Sequence, residues 1–85
     1  MPAYQILITK KAEKDFRKLI PALRKKALEI LAETIAENPF QGKKLLGELA
    51  GHYSIKLTYK DRILYRIDVP NKTVYIKRTA THYGE

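Results

Sequence analysis

The stretch Tyr53-Ser54-Ile55-Lys56-Leu57-Thr58-Tyr59-Lys60-Asp61-Arg62-Ile63-Leu64-Tyr65-Arg66-Ile67-Asp68-Val69 decides the fold. Tyr53, Ile55, Leu57 and Tyr59 alternate with Ser54, Lys56 and Thr58, the period-two pattern of a strand with one buried face. Lys60-Asp61 reads as a two-residue turn. Ile63, Tyr65, Ile67 and Val69 then alternate with Arg62, Leu64, Arg66 and Asp68 in a second strand. Pro70-Asn71-Lys72 supplies another turn, and Val74 and Ile76 belong to a third strand. The alternation predicts two unlike faces. Tyr53, Ile55 and Leu57 pack with Ile63, Tyr65 and Ile67, while Ser54, Lys56, Thr58, Arg62 and Arg66 share the open, basic side.

Upstream of this meander the period changes. Ala12, Phe16, Leu19 and Ile20 recur at helical spacing behind Thr9, which suits an N-cap. Pro21 ends that helix and fits the first turn of a second, whose apolar stripe is Leu23, Ala27, Ile30, Leu31 and Ile35. Asn38-Pro39 stops it. Tyr4 to Thr9 reads as a short first strand. Lys43 to Leu49 reads as a further edge strand, weakened by Gly42 and Gly47. The order β-α-α-β-β-β predicts an α+β fold, an N-terminal strand and a helical hairpin packed on one face of an antiparallel sheet.

The chain has 85 residues, the size of one domain, taken as 1–85. Its 17 Lys and Arg against nine Asp and Glu give a net charge of +8. Residues 43–85 carry +5 of that and residues 1–42 carry +3. So basic a small domain favours a polyanionic partner, and charge alone weighs nucleic acid evenly against a surface that is merely solvated. There is no cysteine, which removes disulfides and thiolate metal sites and fits a reducing cytoplasm. Met1 to Ile6 has no signal-peptide pattern, and no apolar run approaches the roughly 18 residues of a membrane span.

Several segments in this order resemble the RelE/ParE superfamily of toxins from type II toxin–antitoxin systems. They are Asn38-Pro39-Phe40-Gln41-Gly42-Lys43, Leu49-Ala50-Gly51-His52-Tyr53-Ser54-Ile55-Lys56-Leu57 and Asp61-Arg62-Ile63-Leu64-Tyr65-Arg66-Ile67-Asp68. The tail Ile76-Lys77-Arg78-Thr79-Ala80-Thr81-His82-Tyr83 is similar to the His-Tyr ending of the YoeB branch. The resemblance implies a RelE-like domain, a ribosome-dependent endoribonuclease that cuts messenger RNA and needs no metal or other cofactor. It also implies a cognate antitoxin partner that holds the toxin inactive. Relatives of the ParE branch share the fold but poison DNA gyrase, so the site residues must decide between the two.

Metal-free RNA cleavage by the 2′-hydroxyl needs a base, an acid for the 5′ oxygen and a cation on the crowded phosphorane. Arg62 on the open strand face offers a rigid fork for two phosphate oxygens; otherwise it is a plain surface arginine. By resemblance His82 is the acid, Tyr83 stacks on a base or orients the phosphate, and Glu48 stands where a catalytic glutamate acts as base. From the residues alone, a loose terminal histidine is the better reading of His82 and a solvated strand-end acid the better reading of Glu48. Lys56 matches one lysine of a Lys-x-Lys pair whose other member is Ser54 here. Arg78 is assigned by resemblance as a second phosphate contact, and by parity it or Lys77 shares a face with Val74 and Ile76. Lys43 and Lys44 read as ribosomal RNA contacts or as solubilising charge. His52 reads as structural, and two histidines 30 residues apart make no zinc site.

Overall fold

The computed structural model describes residues 3–81. Strand β1 spans Gln5–Ile8, helix α1 Lys10–Lys18 and helix α2 Pro21–Ile30. Strands β2 (Lys43–Lys44), β3 (His52–Lys56), β4 (Asp61–Asp68) and β5 (Thr73–Thr81) follow. They make one five-stranded sheet in the order β1-β5-β4-β3-β2. The β2-β3-β4-β5 meander is antiparallel, as its alternation predicts, but β1 lies parallel to β5. The sheet is therefore mixed, because the α1–α2 hairpin carries the chain back across one face before the meander begins.

Local chemistry fixes the helix ends. The Thr9 hydroxyl accepts from the Ala12 amide and so caps α1. Pro21 opens α2, where its missing N–H costs nothing. Beyond Ile30 the helix widens into a π-turn over Leu31–Ile35, with the Ala36 amide donating to Leu31 O at 2.9 Å. Leu31 and Ile35, four residues apart, both face the sheet. They are 4% and 0% exposed. Asn38 accepts from the Phe40 amide and caps a short 3-10 turn, Pro39–Gln41.

The core lies between the helices and one sheet face. Ala12, Phe16, Ala27, Leu31 and Ile35 meet Leu57, Ile63, Tyr65, Val74 and Ile76, with Tyr53, Ile55 and Ile67 packed at its margin. The expected inward set is thus observed.

Three local expectations need correction. Tyr59 is not a strand residue: β3 ends at Lys56, and Tyr59 is 85% exposed. The β3–β4 turn is wider than Lys60-Asp61, because both the Leu57 and Thr58 amides donate to Asp61 O. The edge strand expected over Lys43 to Leu49 contracts to Lys43–Lys44, since Gly47, at φ 69°, starts a 3-10 turn over Gly47–Leu49.

Candidate nucleic-acid interface

The sheet face turned away from the helices is organised in cross-strand rows. Residues paired across strands share a face, so the register places them directly. Lys56 pairs with Arg62 across β3 and β4, and Arg62 with Ala80 across β4 and β5. The next row is Lys43, Ser54, Leu64 and Arg78. A third row holds His52, Arg66, Tyr75 and Leu7. None of these residues is acidic. Asp68 on the following row bounds the strip, and its carboxylate accepts from the Asn71 side-chain amide at 2.9 Å.

The face is not uniformly wet. Lys56, Arg62 and Arg66 are exposed, but Ser54 and Leu64 between them are 3% and 5% exposed. Ser54 therefore lies on the predicted face but is closed off from solvent.

Arg62 owes its place to the turn before it. The Thr58 hydroxyl accepts from the Asp61 amide and donates to Asp61 Oδ2, both at 2.9 Å. Asp61 is buried, so this closed loop fixes where β4 begins and hence where Arg62 stands.

At Arg78 the alternation breaks. Tyr65 pairs with Ile76 but Leu64 pairs with Arg78, which leaves Lys77 as an extra residue in β5. This β-bulge puts Arg78 in register with the open-face row instead of with Val74 and Ile76. Its side chain is nevertheless engaged elsewhere. Arg78 Nε donates to Asp15 Oδ2 at 2.8 Å and Nη2 to Asp15 Oδ1 at 3.3 Å.

Asp15 was not singled out by sequence pattern, although it adjoins the Ala12–Phe16–Leu19 stripe. It is 8% exposed and also accepts from the Thr79 amide at 3.0 Å. The reason is topological. β1 ends at Ile8, opposite Ile76, so the edge of β5 beyond that point lacks a strand neighbour. Thr9 takes its place by donating to Ile76 O at 2.8 Å, and Asp15 continues the substitution at Thr79. Burial pushes the Asp15 carboxyl up. The Arg78 and Thr79 hydrogen bonds and the charges of Arg78 and Lys18 outweigh it, leaving the group below its usual 3.8.

With this geometry the family can be assigned. Residues 6–82 match the model of the ParE toxin of type II toxin–antitoxin systems, parDE. The chain belongs to this family. It is 38% identical over 77 residues to Toxin RelG of Mycobacterium tuberculosis, covering 88% of this chain and 86% of that protein. Its structure is similar to the RelBE2 toxin–antitoxin complex of Mycobacterium tuberculosis, with 34% identity and a TM-score of 0.87 over 96% of this chain and 94% of that one. The intact Escherichia coli RelBE toxin–antitoxin complex matches at 25% identity and a TM-score of 0.79, over 95% and 99% of the two chains. The protein is thus a type II toxin of the RelE/ParE superfamily, RelE-like in structure.

Within the toxin, the structure separates the sequence-derived candidates. Lys56 and Arg62 are brought together, and Lys43 shares their face. Lys44 pairs with Tyr53 and so lies on the opposite side, beside the aromatic cluster of Phe40 and Tyr53. Glu48 is exposed on the turn preceding His52, at the end of β3 away from Lys56. Four residues at about 3.3 Å each put roughly 13 Å of strand between those ends. His82 and Tyr83 lie outside the described residues. Among the described residues, no three His, Asp or Glu side chains cluster in a way that could hold a metal ion. No helix among them is long and apolar enough to cross a membrane.

Proposed function

We propose that this toxin is a metal-independent, ribosome-dependent endoribonuclease that cleaves messenger RNA and so inhibits translation in the cytoplasm. The observation that carries the reading is the exposed Lys56–Arg62 cross-strand pair, in a strip of the sheet face that holds no acidic strand residue before Asp68. Arg62 grips the scissile phosphate with its guanidinium fork and stabilises the charge that develops there. Lys56, one strand away, adds a second positive charge to the same phosphodiester. His82 supplies the proton for the 5′ leaving oxygen, and Tyr83 orients the substrate. Glu48 is the residual candidate for the base, though it stands at the far end of β3. Arg78, tied to Asp15, contributes positive charge with less freedom to follow a moving phosphate.

The partner that silences the toxin is a cognate antitoxin, as in the complexes formed by its structural relatives. An acidic, partly disordered segment would complement the basic face and order upon it.

Purified toxin added to ribosomes carrying messenger RNA, with 5′ ends mapped by primer extension, tests this reading. Cleavage that requires ribosomes and vanishes in Arg62→Ala and His82→Ala is the expected result. A second reading, a non-enzymatic poison of DNA gyrase, is favoured by the match to the ParE model. Intact message together with inhibited supercoiling would establish that reading instead.

A further inference from the structure

The third row of the open face is not used by the chemistry above. Arg66 is exposed, and its guanidinium carbon lies 5.5 Å from the centroid of the Tyr75 ring across the β4–β5 pair. Tyr75 is half-buried, so the strand beneath it holds the ring in place. His52 flanks Arg66 on one side, and Leu7, 41% exposed, flanks Tyr75 on the other.

We propose that Arg66 and Tyr75 form a stacking platform for one base of a single-stranded RNA that crosses this face, next to the nucleotides held at Lys56 and Arg62. The inference rests on the reading that this face binds RNA, and extends it to a second subsite.

Three observations converge on it. Unpaired bases stack on aromatic rings and on guanidinium planes, and here the Arg66 guanidinium lies over the Tyr75 ring, a two-layer stack whose outer plane a base can extend. The strand residues leading to them include Lys43 and Arg78, the latter paired with Asp15, and no acid, which suits a backbone running from one row to the other. The spacing also fits a separate nucleotide further along the same RNA strand. Arg62 and Arg66 are four strand residues apart, roughly 13 Å, too far to grip one phosphate together. The platform therefore adds affinity and holds the strand in register, while Arg62 acts on the bond.

Binding can be measured without cleavage, which keeps the test separate from the ribonuclease reading. Fluorescence anisotropy compares a short labelled single-stranded RNA with an abasic phosphodiester of equal length and charge. The toxin is expected to bind the base-bearing strand about tenfold more tightly, since each stacked base contributes at that level. Tyr75→Leu should lose that preference yet still bind the abasic strand, and Tyr75→Phe should keep it. Arg66→Gln, at an exposed position, should reduce the preference even if Tyr75→Leu does not fold. Arg62→Ala should weaken binding to both strands alike. A toxin with no preference for bases, or a preference unchanged in both Arg66→Gln and folded Tyr75→Leu, would overturn the proposal. If the base preference holds but ribosomes yield no cleavage, the platform stands and the ribonuclease reading fails.

Discussion

Arg62 stands directly across the β3–β4 pair from Lys56, and both side chains are exposed on the face opposite the helices. Neither carries a described ion pair, so neither is neutralised by the fold in the way that Asp15 engages Arg78. Removing Arg62 should therefore harm function far more than stability. Arg62→Ala is expected to slow cleavage by about 10²–10³-fold, the usual cost of losing one preorganised donor to developing charge. Unfolding free energy should change by less than about 0.5 kcal/mol. Arg62→Lys should recover only part of the rate, because an ammonium cannot grip two oxygens at once. Growth inhibition on induction and urea melts of the purified variants check the two halves of this expectation. A strongly destabilised Arg62→Ala would show that the residue serves the sheet instead.

Asp15 presents the opposite case. Its carboxylate joins α1 to β5 through Arg78 and the Thr79 amide. Asp15→Ala strands a buried amide and removes an ion pair whose arginine is partly solvated, at 40% side-chain exposure. A loss of about 1–3 kcal/mol follows from the unpaired amide, with little added by the screened charge. The pH dependence has a definite sign. The folded group titrates below its unfolded value of 3.8. The stability it contributes is therefore complete above that value and lost as pH falls through the lower, folded one. Wild type and Asp15→Asn should converge in melting temperature as the pH is lowered from 5 towards 2, a range of about three units around the carboxylate pKa. Parallel curves would show that Asp15 carries no such linkage.

The fold was legible where burial alone sets the pattern. Tyr53, Ile55, Ile63, Tyr65 and Ile67 announce the inner sheet face by period two, and Ala12, Phe16, Ala27, Leu31 and Ile35 announce the helices by their own period. Legibility ended where hydrogen bonds between distant segments take over. The bulge at Lys77 re-phases β5, and no alternation of residue types marks it. Asp15 reads as one more helix-surface acid until β1 stops at Ile8 and leaves the β5 edge open. Thr58 and Asp61 enclose their own turn, and the pair Thr-x-x-Asp was a signal available in the sequence. Of the candidate site, Lys56 and Arg62 followed from parity, whereas the separation of Lys43 from Lys44 needed the register of β2.

Gly42 is needed for close approach. Its φ of −73° suits any residue. An added Cβ, however, would overlap the Tyr65 hydroxyl and lie 2.9 Å from Ser54 O. Tyr65 cannot retreat, because it is fully buried and its hydroxyl donates to Pro39 O at 2.6 Å. Gly42→Ala is expected to cost about 1–3 kcal/mol, the range for overpacking a close-packed core. Tyr65→Phe removes the clashing oxygen, so the double variant should lose less than the sum of the two single variants. Chemical denaturation of all four proteins measures this coupling. Strict additivity would mean that the strain falls on Ser54 O.

The same tyrosine limits the alkaline end. Burial pushes the Tyr65 phenol from 10.0 up to about 12, against a lowering hydrogen bond with the Gly42 backbone and with a smaller push from Tyr53. For this acid the folded state holds its proton longer than the unfolded one. Its contribution is therefore complete below the unfolded value of 10.0 and is lost as pH rises from there towards about 12. The full rise corresponds to roughly 2–3 kcal/mol. Tyr65→Phe has no proton to lose, and so lacks this part of the alkaline decline, though it forfeits the hydrogen bond to Pro39 at every pH. Its stability relative to wild type should improve steadily above pH 10.0. Thermal melts followed by circular dichroism across that range decide the matter, and a constant gap between the two proteins would show that the phenol ionises as freely in the fold as in the unfolded chain.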